Sequence, residues 1–187
     1  MKSPVSAEGT PLLEVVKQLT AVSKDDFLLQ VEAPLLLEVP TDGVLPAGYG
    51  DVPKPSKPGE AVVNTVAVDA VRLANLPRQR NLAGAKVYLL EGATGEGSCL
   101  IGREGCVVTL SNEGVSRKHA EVHAGGGNWF LVDLQSHNGS YVNKQKVTPG
   151  ERVPLEDRCS VWLGSFRGVF LSPDEFFDLV GVLAKGK

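Results

Sequence analysis

The sequence contains few cysteines, and their spacing forms no pattern. Three cysteines, Cys99, Cys106 and Cys159, occur in 187 residues, and no CxxC pair is present. Disulfide-rich secreted domains and zinc modules carry their cysteines at short, repeated spacings. We therefore expect free thiols in a reducing compartment, with no metal ion and no cofactor.

Long apolar runs and an excess of positive charge are missing as well. No apolar stretch approaches the ~20 residues of a membrane helix, and the first six residues lack the apolar core of a secretion signal. The 19 basic and 22 acidic residues leave a net charge of −3, without the basic footprint of a nucleic-acid binder. These absences predict a soluble cytoplasmic protein that binds neither membranes nor nucleic acid.

Catalytic signatures are absent too. The chain has no Gly-x-Ser-x-Gly elbow, no phosphate-binding Walker loop, no His-Glu-x-x-His and no kinase signature. Ser116, His119 and Asp133 supply the residue types of a hydrolytic triad, but none of them stands in such a setting. The sequence therefore predicts a binding protein and not an enzyme.

From residue 85 onward, short apolar segments recur between turn signals, a rhythm typical of a β-sandwich. The segments cover 86–91, 98–102, 106–110, 119–123, 129–134, 141–147, 158–163 and 168–171. Two glycine-rich stretches, 92–97 and 125–128, predict hairpin connections, because glycine adopts positive φ without steric cost. The predicted fold is mainly β, with the sandwich at 85–172.

The two ends of the chain have a helical period instead. After Pro173, apolar residues recur at helical spacing and predict a C-terminal helix over 173–187. In the N-terminal flank, 1–39, apolar spacing and a capping box at Ser23 predict two short helices. Residues 35–39 then form either a strand or an extended apolar arm.

A segment rich in proline and glycine, 40–60, predicts a semi-stiff linker that few core contacts cross. The connecting segment that follows, 61–84, begins with a stretch rich in valine and alanine that ends at Pro77. Its period fits a helix or a strand pair equally well.

Four short motifs lie in a fixed order within the predicted sandwich. They are Gly102-Arg103, Ser116-Arg117-Lys118-His119, Asp133-Leu134 and Ser136-His137-Asn138-Gly139. Loops cluster at the ends of a sandwich, so these motifs can meet at one end. A guanidinium fork and a hydroxyl suit a phosphate dianion, and an asparagine amide can hold a peptide backbone. Each residue alone would equally suit a turn or an ion pair, but together they predict a phosphopeptide site.

The ordered set resembles the forkhead-associated (FHA) domain over about half of the chain, residues 85–171. The resemblance also includes Leu163-Gly164, which closes the pattern, and Tyr141-Val142-Asn143, which follows the Asn-Gly pair. It implies an eleven-stranded sandwich whose apical loops bind phosphothreonine peptides without metal, cofactor or catalysis.

The resemblance also implies roles for single residues. Arg103 looks like the arginine that contacts phosphate and peptide backbone, Ser116 like the hydroxyl that binds phosphate, and Arg117 like an added phosphate contact. Asn138 looks like the residue that holds the peptide main chain. Three further residues are expected to support the site's architecture: Gly102, His119 and Gly139.

One position departs from the family pattern. Where a threonine or serine usually precedes the Asn-Gly pair, this chain has His137. Its imidazole either donates to phosphate, best when protonated, or points to solvent. The first alternative would make binding sensitive to pH.

These features predict a signalling adaptor that recognises a Thr-phosphorylated protein downstream of a Ser/Thr protein kinase. The alternative is a phosphate-independent interaction scaffold built on the sandwich and the N-terminal helices. A narrower alternative concerns Thr10, which precedes a proline in a terminus that we expect to be mobile. When phosphorylated, Thr10 could be an intramolecular ligand for the chain's own site.

Overall fold

The computed structural model describes residues 3–40, 82 and 84–185. In this part of the chain the helices are α1 (Leu12–Leu19), α2 (Lys24–Leu28) and α3 (Pro173–Lys185). The strands are β1 (Thr10–Pro11), β2 (Leu35–Glu38), β3 (Lys86–Leu89), β4 (Ser98–Gly102), β5 (Val108–Thr109), β6 (Ala120–Gly125), β7 (Asn128–Asp133), β8 (Ser140–Val142), β9 (Gln145–Lys146), β10 (Arg152–Leu155), β11 (Ser160–Leu163) and β12 (Phe166–Leu171).

The strands form two sheets that face each other. One sheet has seven strands in the order β1-β3-β2-β12-β11-β8-β9, and the other has five in the order β10-β7-β6-β4-β5. Alternate residues of each sheet, such as Ile101, Leu131, Leu163 and Phe170, meet in an apolar core between them. The mainly β sandwich predicted from the apolar rhythm is confirmed.

Strand β2 changes the expected domain division. It lies between β3 and β12, and Leu37 pairs with Val87 on one side and with Val169 on the other. The sequence placed residues 35–39 in a separate flank, before a linker that few core contacts would cross. Instead the flank supplies an inner strand of the seven-stranded sheet. The predicted boundary that separates residues 1–39 from the sandwich at 85–172 is therefore wrong, because strands from both segments form this sheet.

A helix layer, made of α1, α2 and α3, covers part of the outer face of the seven-stranded sheet. Apolar residues of all three helices pack with outward residues of β2, β3 and β12 in a second core. The Ser23 hydroxyl caps α2 by accepting a hydrogen bond from the Asp26 backbone N–H at 3.2 Å. The predicted N-terminal and C-terminal helices are thus confirmed.

Several local predictions differ from the structure. The connection over 92–97 is not a hairpin, because it joins β3 and β4, which belong to different sheets. The apolar segments found in the sequence do not include strand β10, which contains Pro154; an edge strand tolerates proline because one side of it needs no ladder hydrogen bonds. The resemblance implies eleven strands, whereas the described residues hold twelve, two of them from the N-terminal flank. The predicted linker, 40–60, and the connecting segment, 61–84, lie almost wholly outside the described residues.

Within the described ranges, no helix is both long and apolar enough to cross a membrane. Cys99 and Cys159 are buried, and burial raises the pKa of each thiol to about 12. All three cysteines are free, as the sequence predicted.

Candidate functional site

Hydrogen bonds tie together the connections that carry the four motifs. We call this set the loop cluster: residues 103–107 after β4, 110–119 before β6, 134–139 between β7 and β8, and the turn at 164–165 between β11 and β12. The Arg103 N–H donates to the Ser116 carbonyl at 2.9 Å, and the Gly164 N–H donates to the Gly139 carbonyl at 3.0 Å. The motifs that the sequence separates by up to 37 positions therefore meet at one place.

Arg103 follows the last residue of β4 and is exposed. Its backbone is held against Ser116, and the next N–H, that of Glu104, donates to the Arg117 carbonyl at 3.3 Å. Among the described residues, no hydrogen bond or ion pair engages the Arg103 guanidinium. The fixed backbone and the unengaged fork leave its donors available to an anion.

Ser116 and His137 are joined through the serine hydroxyl. The His137 backbone N–H donates to Ser116 Oγ at 3.0 Å, so this oxygen already accepts one bond. Its hydroxyl proton has no partner within the described part of the chain and can donate to phosphate. The His137 imidazole is exposed, and no described residue bonds to it.

Asn138 links two loops of the cluster. Its side-chain amide donates to the Gly114 carbonyl at 2.9 Å, and the residue is exposed. One amide proton and the side-chain oxygen remain for a ligand. Asn138 therefore retains both a donor and an acceptor for a peptide backbone.

Arg117 and Lys118 are both exposed on the loop that precedes β6. Neither makes an ion pair with a carboxylate in the described ranges. They add positive charge beside Arg103, since Arg103 and Glu104 bond to the backbone of Ser116 and Arg117.

His119 supports the cluster from inside. The side chain is 0% exposed, the Ser116 N–H donates to its Nδ1 at 3.0 Å, and its Nε2 lies 3.3 Å from the Gly139 carbonyl. Because Nδ1 accepts a bond, the neutral ring carries its proton on Nε2 and donates it to Gly139. Burial lowers the pKa of His119 below its ordinary value, so the neutral form is favoured.

Glycine is required at two support positions. A Cβ at Gly102 would lie 2.1 Å from the Arg117 carbonyl oxygen, so any side chain would push the neighbouring loop away. Gly139 has φ of 77° and presents its carbonyl to both His119 and Gly164. Gly102, Gly139 and His119 thus lie at contacts between the loops, where a supporting role is expected.

Asp133 holds the loop that carries His137 and Asn138. Its carboxylate accepts bonds from the Ser136 N–H at 3.0 Å, the Ser136 hydroxyl at 2.6 Å and the Ser140 hydroxyl. Burial opposes ionisation of Asp133, but these hydrogen bonds outweigh it and lower the pKa of the carboxyl. The negative charge thus anchors the loop from beneath.

Ser116, His119 and Asp133 do not form a triad. Nδ1 of His119 is occupied by the Ser116 backbone N–H and Nε2 by Gly139, whereas Asp133 bonds to Ser136 and Ser140. No ring nitrogen is left to accept a proton from the Ser116 hydroxyl. The three residues stabilise loops instead.

Sequence reasoning missed the contact between Gly114 and Gly164. A Cβ at Gly164 would lie 2.0 Å from the Gly114 carbonyl oxygen, and a Cβ at Gly114 would lie 2.0 Å from Ser165 Oγ. The Asn112 side chain caps this contact by accepting bonds from the Gly114 N–H and the Ser165 hydroxyl. The sequence shows an Asn-x-Gly pattern before Ser116, but only the fold shows that Gly164 and Ser165 pack closely against Gly114.

The FHA domain family model matches residues 99–164. The FHA domain-containing protein FhaB of Mycobacterium tuberculosis is 37% identical over 86 residues, which are 42% of this chain and 56% of that protein. The chain thus matches little more than half the length of FhaB.

A second relative matches along most of the chain. The glycogen accumulation regulator GarA of Mycolicibacterium smegmatis is 30% identical over 159 residues, covering 85% of this chain and 84% of that protein. Among solved structures, the N-terminal FHA domain of Rad53p from S. cerevisiae with a phosphothreonine peptide is 27% identical. That match covers 43% of this chain and 72% of the other, with a TM-score of 0.39.

Proposed function

This chain belongs to the family of FHA domain proteins, and from that premise we propose that it is an adaptor that binds Thr-phosphorylated proteins in a Ser/Thr kinase pathway. The loop cluster is the proposed binding site. The observation that carries the proposal is that hydrogen bonds join the loops that carry Arg103, Ser116 and Asn138, while each of these side chains keeps a donor without a partner among the described residues.

Each side chain has a part in the proposed complex. The Arg103 fork and the Ser116 hydroxyl bind the phosphate oxygens, and Arg117 adds a cation beside them. Asn138 binds the peptide backbone with its remaining amide proton and its oxygen. His137 replaces the usual hydroxyl residue and contacts the phosphate with its exposed imidazole.

The adaptor role is regulatory and not catalytic. GarA, whose match covers 85% of this chain, is a regulator of glycogen accumulation. This likeness supports a regulatory role for the present chain. We place the protein in the cytoplasm, because free cysteines are typical of a reducing compartment. No cofactor or metal ion is needed for recognition of this kind.

The ligand is proposed to come from another protein and not from Thr10. Thr10 lies in β1, paired with Val87, and its hydroxyl oxygen accepts a bond from the Ser6 N–H at 3.2 Å. Strand β1 is one edge of the seven-stranded sheet, whereas β8, which follows Asn138, lies near the other edge. The expectation of a mobile terminus at Thr10 is therefore wrong, and self-binding would require β1 to leave the sheet.

The phosphate-independent scaffold is less well supported. It needs apolar helix faces for a partner, but the apolar residues of α1 and α2 pack mostly into the second core. Leu13 and Leu29 are the exposed large apolar residues of the described N-terminal flank. The helices are thus already used within the chain.

The test compares a phosphothreonine peptide library with its unphosphorylated twin on the full chain. We expect binding only to the phosphorylated library. Arg103→Ala removes at least one charge-assisted bond, worth roughly 1.5 to 3 kcal/mol, so affinity should fall by at least about 10- to 150-fold. Arg103→Lys keeps the charge but not the fork and should bind at an intermediate level.

The matched control is Arg152→Ala, since Arg152 is also exposed but lies on edge strand β10, which two strands of the same sheet separate from β4. Its affinity should equal that of the wild type. Equal binding of both libraries, or an equal loss in the Arg103 and Arg152 variants, would refute the proposed site.

A further inference from the structure

The helix layer covers only part of the outer face of the seven-stranded sheet. On β2, β3 and β12 the outward residues, such as Leu37, Val87 and Val169, belong to the second core. The outward row at the other half of the sheet contains no member of that core. It crosses four strands and consists of Lys146, Tyr141, Trp162 and Arg167, which we call the aromatic strip.

The strip is a continuous cross-strand ladder. Trp162 pairs with Tyr141 on β8 and with Arg167 on β12, and Tyr141 pairs with Lys146 on β9. The Arg167 guanidinium lies 4.2 Å from the centre of the Trp162 ring, and the Tyr141 and Trp162 rings are 6.2 Å apart. Two aromatic rings thus lie between two cations.

The charge of the strip is not neutralised within the described residues. Lys146 and Arg167 are exposed, and neither makes an ion pair with a described carboxylate. The Arg167 fork instead donates to the Gly164 carbonyl at 2.7 Å, which fixes it over the ring. A surface of this kind is complementary to acidic side chains on an extended chain.

The strip is also continuous with the loop cluster. A Cβ built on Gly139 would lie 3.3 Å from Lys146 Cε and 3.6 Å from the Tyr141 ring. Gly164, whose carbonyl accepts the hydrogen bond from Arg167, lies next to Asn138. A Cβ built on Gly164 would lie 3.4 Å from the Asn138 Cβ. A chain held by Asn138 therefore has the strip beside it.

We propose that the aromatic strip binds an acidic segment of the same phosphorylated partner, adjacent to its phosphothreonine. This inference rests on the proposed function and adds a preference to it. Three strand spacings of about 4.8 Å separate β9 from β12, and an extended chain advances about 3.3 Å per residue. The acidic segment is thus about four residues long.

The experiment uses two phosphothreonine peptides that differ only in their flanks. One carries four Asp or Glu residues on one side of the phosphothreonine, and its twin carries Asn or Gln there. Each pair is made once with the flank before and once with the flank after the phosphothreonine. The ratio of the two dissociation constants, measured on the full chain by titration calorimetry, isolates the contribution of the flank.

For one of the two flank positions, the wild type should bind the acidic peptide about three- to five-fold more tightly than its amide twin. Lys146→Gln should reduce this preference below about two-fold, because it removes an exposed cation from the strip. The matched control is Lys86→Gln, an exposed lysine on β3, next to the opposite edge of the same sheet. It should keep the full preference.

Trp162 supplies a second readout. It is one of two tryptophans in the chain, and the other, Trp129, donates its ring N–H to the Ala93 carbonyl at 3.0 Å. Saturation with the acidic peptide should change the tryptophan fluorescence of the wild type more than saturation with the amide twin. The difference should vanish in Trp162→Phe.

Two outcomes would overturn the inference while leaving the proposed function intact. In one, both phosphopeptides bind equally at both flank positions; in the other, Lys146→Gln and Lys86→Gln lose the preference equally. If neither phosphopeptide binds better than its unphosphorylated form, the proposed function fails and the inference fails with it.

Discussion

The loop cluster and the helix layer are held to the same sandwich by different forces. In the loop cluster, backbone and side-chain hydrogen bonds join the loops, and His119 and Asp133 are buried polar groups with several partners each. In the helix layer, apolar side chains such as Phe27 and Phe176 are almost fully buried.

The difference teaches where stability and where recognition arise in this molecule. Apolar burial is not directional and contributes most of the folding free energy. Hydrogen bonds contribute less net stability, but they orient groups and penalise wrong geometry. The loop cluster can therefore hold Arg103 and Ser116 in defined positions with side-chain donors that no described residue engages. The helix layer, in contrast, has few exposed apolar side chains for a partner.

Phe176→Ala should give the largest effect and should separate the two regions. Phe176 is 0% exposed and its ring lies 6.1 Å from that of Phe27. Loss of the ring should lower the free energy of unfolding by about 3 to 5 kcal/mol in urea titrations. Phosphopeptide affinity of the folded protein should not change. Val182→Ala on the exposed side of the same helix is the control, and an equal loss there would contradict the comparison.

Gly102→Ala should lower both the stability of the protein and its affinity for phosphopeptides. Its Cβ would meet the Arg117 carbonyl at 2.1 Å, so the backbone beside Ser116 must move. We expect a loss of about 1 to 3 kcal/mol in the free energy of unfolding, together with weaker phosphopeptide binding. Gly181→Ala is the matched control, because a Cβ there meets nothing within 4 Å and the residue lies in α3. That variant should be slightly more stable than the wild type and bind equally.

Ser116→Ala should act mainly on binding. It removes the proposed hydroxyl donor to phosphate and the acceptor of the His137 N–H. We expect affinity for a phosphothreonine peptide to fall about five- to ten-fold, equivalent to roughly 1 to 1.4 kcal/mol. Ser111→Ala, an exposed serine on the same loop, should bind as the wild type does. Wild-type affinity in Ser116→Ala would exclude the hydroxyl from the site.

The smallest expected effect is a change in how stability depends on pH. The folded state lowers the pKa of His119 below its ordinary value of 6.5, so the unfolded chain binds that proton more readily. Stability should therefore be lost as the pH falls below about 6.5, and the loss should level off below the lowered pKa. Asp133 has an ordinary value of 3.8 and a lowered pKa, so its contribution is lost only at more acid pH.

His119→Gln lacks the buried imidazole, so the free energy of unfolding should depend less on pH between pH 5 and about 6.5 than it does in the wild type. Urea unfolding at several pH values measures the slope. The same slope in the wild type and in His119→Gln would show that the buried ring does not cause it.

Local chemistry made several elements predictable. The Ser23 capping box formed as expected because its hydrogen bonds join residues three positions apart. The hairpin at 125–128 formed because Gly126 and Gly127 supply the positive φ values of 57° and 77°. The same glycine signal at 92–97 predicted the wrong connection, since turn chemistry does not specify which sheet the next strand joins.

The candidate site was only partly predictable. The ordered motifs indicated which residues belong to one end of the sandwich. In the structure these residues lie in the loop cluster or at the strand ends that adjoin it. Their individual roles in binding remain predictions. The Gly114–Gly164 contact and the engagement of the Ser116 oxygen by the His137 N–H join residues that are 50 and 21 positions apart, and no local pattern specifies them.

The sequence by itself determined the β rhythm, the helical ends and the set of candidate phosphate-binding side chains, because strand alternation, helix capping and side-chain chemistry depend on near neighbours. Only the tertiary structure decided that Leu35–Glu38 enters the sheet between β3 and β12, that His119 is buried, and that the aromatic strip borders Asn138. These features depend on strand pairing and burial between residues far apart in the chain, where many pairings satisfy the same local pattern and only the packed whole selects one.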